Sequence, residues 1–228
     1  MNTAYAEALG GIEALPTRTT IVSWTPVGTA IEISAVAVPN GARREAMLPQ
    51  GWLKGPRPYS YIIKTDDLVF FSGLLSRRGS DDTWVAGSPR LQTQTIMDNA
   101  GTLLDTAGLT YDDIVAARVY LTSPYDFEAM NESYGAYFPK SPPARATAVV
   151  DLMNIDANVE ITFVASQQPK QVLGGQAAGL PVSAAIQAGP RVWVSGVIGD
   201  TEKHRTDVTA QTRDIFARMQ PTLAAAGI

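Results

Sequence analysis

Cysteine is absent from this chain of 228 residues, and histidine occurs only once, as His204. Without cysteine there is no disulfide framework, no thiolate metal site and no cysteine nucleophile. A single histidine also excludes a His-rich metal centre and more than one Ser-His-Asp triad. Any catalysis must therefore rest mainly on other polar and charged side chains.

Clusters of positive charge and long apolar runs are also lacking. The net charge is −4, and no run of Lys and Arg exceeds two residues. Nucleic-acid binding needs clustered cations, so nucleic acid is not an expected partner. No segment approaches the roughly 20 apolar residues of a membrane span, and the first ten residues do not resemble a signal peptide. We therefore expect a cytoplasmic protein with no membrane partner.

The chain does contain an internal repeat that is out of phase with its ends. Residues 57–166 read as one complete unit, here called the complete domain. Residues 181–228 repeat its first half, and residues 1–38 repeat its second half. We call these the C-terminal and N-terminal half-copies. The repeat predicts two domains, the second split across the two ends of the sequence.

The split domain is incomplete. Residues 111–123 join the two halves of the complete domain, and neither half-copy contains a counterpart. Three explanations stay open: a circular permutant that lost a strand, a fragment or processed form of a longer protein, or a strand supplied by another chain. Residues 39–56 and 167–180 are rich in Pro, Gly or Gln and are predicted to be linkers.

Within the complete domain the pattern predicts the element order ββαβαββ. Ser88-Pro89 is a typical helix start and Gly108 a typical helix end. Aromatic residues at helical spacing predict a second helix from Phe127. Runs rich in β-branched and aromatic residues predict strands over residues 59–63, 68–72, 114–121, 145–152 and 159–165. This order favours an α+β fold, with one sheet and both helices on one face.

The half-copies follow the same order. The C-terminal half-copy predicts a helix over residues 207–225, and the N-terminal one predicts a shortened helix over residues 2–9. Strands are predicted over residues 20–24 and 30–38.

Two charged residues stand beside apolar strands of the complete domain. Arg145 offers the planar fork that binds a carboxylate, and Glu160 could hold or deprotonate a water molecule. A structural salt bridge between neighbouring strands is the alternative. Arg18 and Glu32 repeat the pair at nearly the same spacing in the N-terminal half-copy.

These segments together resemble the RidA/YjgF family of enamine and imine deaminases. The matching stretches cover nearly all of the complete domain in the right order. They are Arg57-Pro58-Tyr59, Phe71-Ser72-Gly73, Met97-Asp98-Asn99, Ala107-Gly108-Leu109, Asp113-Ile114-Val115, residues 134–138, Pro143-Ala144-Arg145-Ala146-Thr147 and Val159-Glu160-Ile161.

The resemblance implies a sandwich similar to chorismate mutase, assembled as a trimeric or pseudo-trimeric barrel with active sites between neighbouring subunits. It implies a hydrolase of the 2-iminobutanoate/2-iminopropanoate deaminase type, which converts reactive imines of small amino acids to 2-keto acids and ammonia. The expected partners are a small carboxylated substrate and further copies of the chain. The resemblance implies no cofactor and no metal.

The resemblance also assigns the site residues of the complete domain. Arg145 would grip the substrate carboxylate, and Glu160 would position the attacking water. The pocket would be lined by Tyr59, Ser72, Gly73, Asn99 and Thr147. An imine is already electrophilic, so positioning supplies most of the rate advantage.

A possible second site departs from this pattern. Val182 stands in place of Tyr59, and Arg218 in place of Asn99. The matching residues of the half-copies are Arg18, Thr20, Glu32, Ser195 and Gly196. Because family sites lie between neighbours, a mixed site could combine half-copy residues with groups of the complete domain. Two other functions stay open: a different reaction on a carboxylated small molecule, and ligand binding without catalysis.

Overall fold

The computed structural model describes residues 1–25, 27–177 and 179–228. The helices are α1 (Asn2–Ala8), α2 (Pro89–Ala107), α3 (Phe127–Gly135), α4 (Thr201–His204) and α5 (Val208–Ala225). The strands are β1 (Ile21–Val22), β2 (Glu45–Met47), β3 (Ile62–Lys64), β4 (Leu68–Phe71), β5 (Ile114–Leu121), β6 (Ala144–Val149), β7 (Asp151–Leu152), β8 (Val159–Ser166), β9 (Lys170–Gln176), β10 (Ser183–Ala188) and β11 (Arg191–Val194).

Six strands form the central sheet, in the order β2-β3-β4-β8-β5-β6. All neighbours are antiparallel except β5 and β6, which run parallel. The hairpin of β3 and β4 and the strand β5 confirm the predictions for these segments. A second sheet has the order β11-β10-β9, and β1 pairs with β7 in a two-stranded ribbon.

The long helix α2 begins and ends where its sequence predicts. The Ser88 hydroxyl accepts a hydrogen bond from the amide of Leu91 at 3.4 Å, and Pro89 is the first helical residue. Gly108 ends the helix in the left-handed region, with a φ of 75°, which glycine adopts without a steric penalty.

The two faces of the central sheet are covered differently. Ile114 and Ala165 point into the main core, where α2 and α3 pack together on one face. Their neighbours Val115 and Val164 point to the other face, toward Ile186 of the three-stranded sheet. The alternation follows the two-residue period of a strand. The predicted placement of both helices on one face is confirmed for the complete domain.

Two differences from prediction concern strand pairing. The predicted linkers 39–56 and 167–180 contain β2 and β9, which pair with β3 and β10 at the sheet edges. Residues 30–38, predicted as a strand, form none in the structure, and their side chains are exposed. A strand needs a hydrogen-bonding neighbour, and this segment pairs with none of the described strands.

Across the ranges that the structure describes, we find no helix that combines the length and the apolar character needed to cross a membrane.

Candidate functional site

The N-terminal half-copy is bound to the complete domain through Arg18. Its amide donates to the hydroxyl of Ser72 at 2.9 Å, and its carbonyl accepts from the amide of Gly73 at 3.1 Å. The Ser72 hydroxyl in turn donates to the carbonyl of Ser60 at 2.6 Å. The Arg18 backbone is therefore held where β4 ends.

This contact creates a cleft of about 270 Å³, here called the Arg18 cleft. Its walls come from both the N-terminal half-copy and the complete domain. The lining residues that the sequence had singled out are Arg18, Thr20, Tyr59, Ser72, Gly73, Asn99 and Glu160.

Glu160 lies on β8 at the bottom of this cleft and is 5% exposed. Burial raises the pKa of its carboxyl group to about 7. A carboxylate of this kind is poised to exchange a proton near neutral pH. Gly73 lies against it, and a Cβ at that position would stand 2.8 Å from Cδ of Glu160.

The guanidinium of Arg18 lies over two aromatic rings. Its Cζ is 4.7 Å from the ring centroid of Tyr59 and 5.0 Å from that of Tyr5. Its Nη1 is buried and has no hydrogen-bond partner among the described residues. Cation–π contacts hold such a group in place but leave its hydrogen-bond donors free for an anion.

Two other arginines of the cleft, Arg57 and Arg77, share one carboxylate. Asp82 forms ion pairs with Arg57 and Arg77, and the Nη1 of Arg77 donates to the Asp82 carbonyl at 2.8 Å. The ion pair raises the pKa of Arg57, mainly through the hydrogen bond that its guanidinium donates to the Asp82 carboxylate. Asn99 donates to the carbonyl of Arg77 at 2.6 Å. Arg18, with a buried donor that no described residue occupies, is therefore suited to receive an anionic group. Sequence reasoning missed Arg57, Arg77 and Asp82, since no spacing linked them to the site.

The C-terminal half-copy repeats the same contact at a different place. The amide of Arg145 donates to the hydroxyl of Ser195 at 2.8 Å, and its carbonyl accepts from Gly196 at 3.0 Å. The Ser195 hydroxyl donates to the carbonyl of Ser183 at 2.6 Å. Each bond matches one made by Arg18, Ser72, Gly73 and Ser60. We call this the Arg145 site.

Arg145 is 5% exposed and lies near the ring of Tyr134, 5.0 Å from Cζ to centroid. Burial lowers the pKa of Arg145, and the nearby Tyr134 partly offsets that effect. Within the described part of the chain, neither Nη1 of Arg145 nor the hydroxyl of Tyr134 has a hydrogen-bond partner.

The structure therefore distributes the predicted residues differently from the sequence assignment. Arg145 does not accompany Glu160: it lies on β6, with β5 between it and β8, and it contacts the C-terminal half-copy. Thr147 is also on β6, outside the Arg18 cleft. Their counterparts Arg18 and Thr20 line the Arg18 cleft together with Glu160. Glu32 is exposed and belongs to neither place.

Metal ligands are scarce in this region. No group of three or more His, Asp or Glu side chains that could hold a metal ion occurs in the described ranges. The polar groups of the Arg18 cleft suit an anionic organic molecule instead.

Comparison with known proteins identifies the family of the complete domain. The model of the family described as Endoribonuclease L-PSP matches residues 53–167. Reactive Intermediate Deaminase A of Arabidopsis thaliana, a chloroplastic protein, is 31% identical over 144 residues, covering 63% of this chain and 75% of the relative. The 3-aminoacrylate deaminase RutC of Acinetobacter baylyi is 32% identical over 122 residues, covering 54% and 97%.

Solved structures agree on the fold. The Rid-family protein YyfA of Yersinia pestis is 26% identical, with a TM-score of 0.51, covering 54% of this chain and 98% of that one. The YjgF gene product of E. coli has a TM-score of 0.51 at 23% identity, covering 54% and 99%. The complete domain therefore has the α+β fold of these proteins.

Proposed function

The chain belongs to the RidA/YjgF family, and on that premise we propose that it hydrolyses reactive imines and enamines of small amino acids to 2-keto acids and ammonia. The observation that carries the proposal is the pairing of two groups in one cleft. Glu160 is a buried carboxyl whose pKa is about 7, and Arg18 is a guanidinium with a free buried donor.

Arg18 would bind the substrate carboxylate. Its free Nη1 supplies a charge-assisted hydrogen bond, and the Tyr59 ring fixes the guanidinium from one side. The hydroxyl of Ser72 and the amide of Gly73 are already used in holding the Arg18 backbone. Their role is therefore to position Arg18, and the substrate orientation follows from the anchored carboxylate.

Glu160 would move the protons of hydrolysis. Its carboxylate accepts a proton from water while the water oxygen bonds to the carbon of the protonated imine. The neutral carboxyl then returns that proton to the nitrogen of the carbinolamine. The carbon–nitrogen bond breaks, the hydroxyl proton passes to Glu160, and the proton leaves with ammonia as ammonium. A pKa near 7 suits a group that alternates between base and acid.

Enamines would first be converted to imines by the same carboxyl group. An enamine becomes a protonated imine when neutral Glu160 gives a proton to its β-carbon, which leaves Glu160 as the carboxylate that the attacking water needs; near pH 7 the neutral form is available. The names of the two relatives, a reactive intermediate deaminase and a 3-aminoacrylate deaminase, support this substrate class.

The test is release of keto acid and ammonia from 2-aminoacrylate and 2-iminobutyrate, generated in the cuvette by a dehydratase. Ammonia release from 3-aminoacrylate, whose other product is an aldehyde acid and not a 2-keto acid, extends the test to a third substrate. We expect the wild-type chain to accelerate the release of both products, and we expect Glu160→Gln to lose this acceleration. Keto-acid binding without acceleration on any of the three would overturn the proposal and favour a binding protein.

A further inference from the structure

One edge of the three-stranded sheet is open. Strand β11 pairs with β10 on one side, and no described strand lies on its other side. Residues 181–196 align without a gap with residues 58–73, so β11 corresponds to β4. In the central sheet β4 pairs on its second side with β8. The repeat therefore specifies which strand belongs on the open edge of β11.

The sequence counterpart of β8 is residues 30–38, here called the free segment. In the structure it is exposed although apolar and polar side chains alternate at its start: Ile31 is 52% exposed and Ile33 69%. A segment with this alternation can add as a strand to an open edge, because the backbone groups of the edge have no hydrogen-bonding neighbour.

The exposed face of helix α5 is a second, independent indication that a strand is missing beside β11. Its counterpart α2 packs on β8, and Met97 of α2 is fully buried. The matching residue of α5 is Phe216, which is 63% exposed. A strand added to β11 in the position of β8 would lie beneath this face of α5 and cover it.

The Arg145 site supplies a third sign. Like Arg18, Arg145 has a buried Nη1 without a hydrogen-bond partner among the described residues, and the hydroxyl of Tyr134 beside it is also unsatisfied. The difference is that Glu160 shares the Arg18 cleft, whereas no carboxyl group of the described residues acts on Arg145. In the Arg18 cleft, Glu160 lies against Gly73. The repeat places Glu32 of the free segment against Gly196 in the same way.

We propose that the free segment of a second copy of this chain adds to β11 and brings Glu32 into the Arg145 site. The pairing is antiparallel. The register of β4 with β8 transfers to the pairs Arg191↔Val38, Val192↔Ala37 and Trp193↔Val36. The completed site would contain a guanidinium and a carboxylate, as the Arg18 cleft does. Its use as a second deaminating site rests on the proposed function.

A second copy fits better than the same chain. The N-terminal half-copy is already held by Arg18 at Gly73 and by Ile21 at Leu152. The open edge of β11 lies at a different place, beside Arg145. A second copy supplies its free segment without breaking either of these contacts.

Cysteine cross-linking tests the pairing directly, because the chain has no cysteine of its own. Ala37→Cys and Val192→Cys are purified separately, mixed and oxidised. We expect a disulfide-linked pair of chains in the mixture, and little from either variant alone. The control replaces Ala37→Cys by Ile33→Cys, which lies in the same segment but about 13 Å further along the strand, beyond disulfide reach.

Two results would overturn the pairing. One is a mixture that gives no more cross-link than the Ile33→Cys control. The other comes from a double variant that carries Ala37→Cys and Val192→Cys in one chain. If this variant forms a cross-link and the mixture of single variants does not, the open edge is occupied by the chain's own segment. Neither result depends on turnover, so the pairing and the proposed function can fail separately.

The role of Glu32 has its own readout. The Arg18 cleft lies within one chain, whereas the completed Arg145 site needs two chains. Specific activity should therefore rise by up to about twofold as the protein is concentrated through association, and Glu32→Gln should abolish the rise. Sedimentation of both proteins reports association. If the variant associates and still shows the rise, Glu32 does not complete the site.

Discussion

Gly73 lies so close to the carboxyl group of Glu160 that a Cβ at this position would stand 2.8 Å from Cδ of Glu160. The glycine is required here for space. Gly73→Ala should therefore displace the carboxylate and lower the rate of imine hydrolysis by at least about tenfold. Gly55→Ala is the control, because a Cβ there would meet only Nη1 of Arg57 at 4.0 Å. Equal rates for the two variants would show that the Glu160 position does not matter.

The pH dependence of the reaction should follow Glu160. Burial raises the pKa of this carboxyl to about 7, and the attacking water needs its carboxylate form. We expect kcat/KM to rise with pH through about 7 and then to level off. Glu160→Gln should be slow at every pH and lack this rise. The uncatalysed hydrolysis, measured at each pH, is subtracted from both. A wild-type profile that falls through this range would assign Glu160 to the acid role alone.

The stability of the fold should also depend on Glu160. Its pKa is higher in the folded chain than the ordinary value of 4.5, so folding favours the protonated carboxyl. The associated stability is fully present below pH 4.5 and is lost as pH rises through about 7. Glu160→Gln removes this ionisation. Relative to wild type, it should gain up to about 3 kcal/mol in unfolding free energy between pH 4.5 and pH 8.

Urea unfolding at several pH values measures that difference. Glu45→Gln, at an exposed carboxyl, is the control and should show no comparable change. A Glu160→Gln gain that is the same at pH 5 and pH 8 would contradict a raised pKa.

The sequence predicted the complete domain well where the signals are local. Ser88, Pro89 and Gly108 bound α2, and the apolar run of β5 is long enough to define a strand by itself. Prediction failed where a strand depends on its neighbour. Residues 30–38 have the right alternation, but they form a strand only beside a partner, and they pair with none of the described strands.

The site shows the same division. The residue types and most of the lining were predictable, because Tyr59, Ser72, Gly73, Asn99 and Glu160 share one domain. Which arginine lies near Glu160 was not, because Arg18 and Arg145 make equivalent backbone contacts, one with Ser72 and Gly73 and the other with Ser195 and Gly196. Which of them meets Glu160 depends on how the half-copies pack. That packing depends on tertiary contacts, and the spacing of residues along the chain does not predict it.

The most direct test of this account compares Arg18→Ala with Arg145→Ala in the imine assay, at a dilution where the chain is monomeric. Arg90→Ala, at an exposed arginine, is the control for loss of charge, and circular dichroism confirms that each variant is folded. We expect Arg18→Ala to lower kcat/KM by about 100-fold, from loss of a charge-assisted bond to the substrate, and Arg145→Ala to retain at least about half of the activity. The reverse order, with activity lost in Arg145→Ala and kept in Arg18→Ala, would contradict a site made by Arg18 and Glu160.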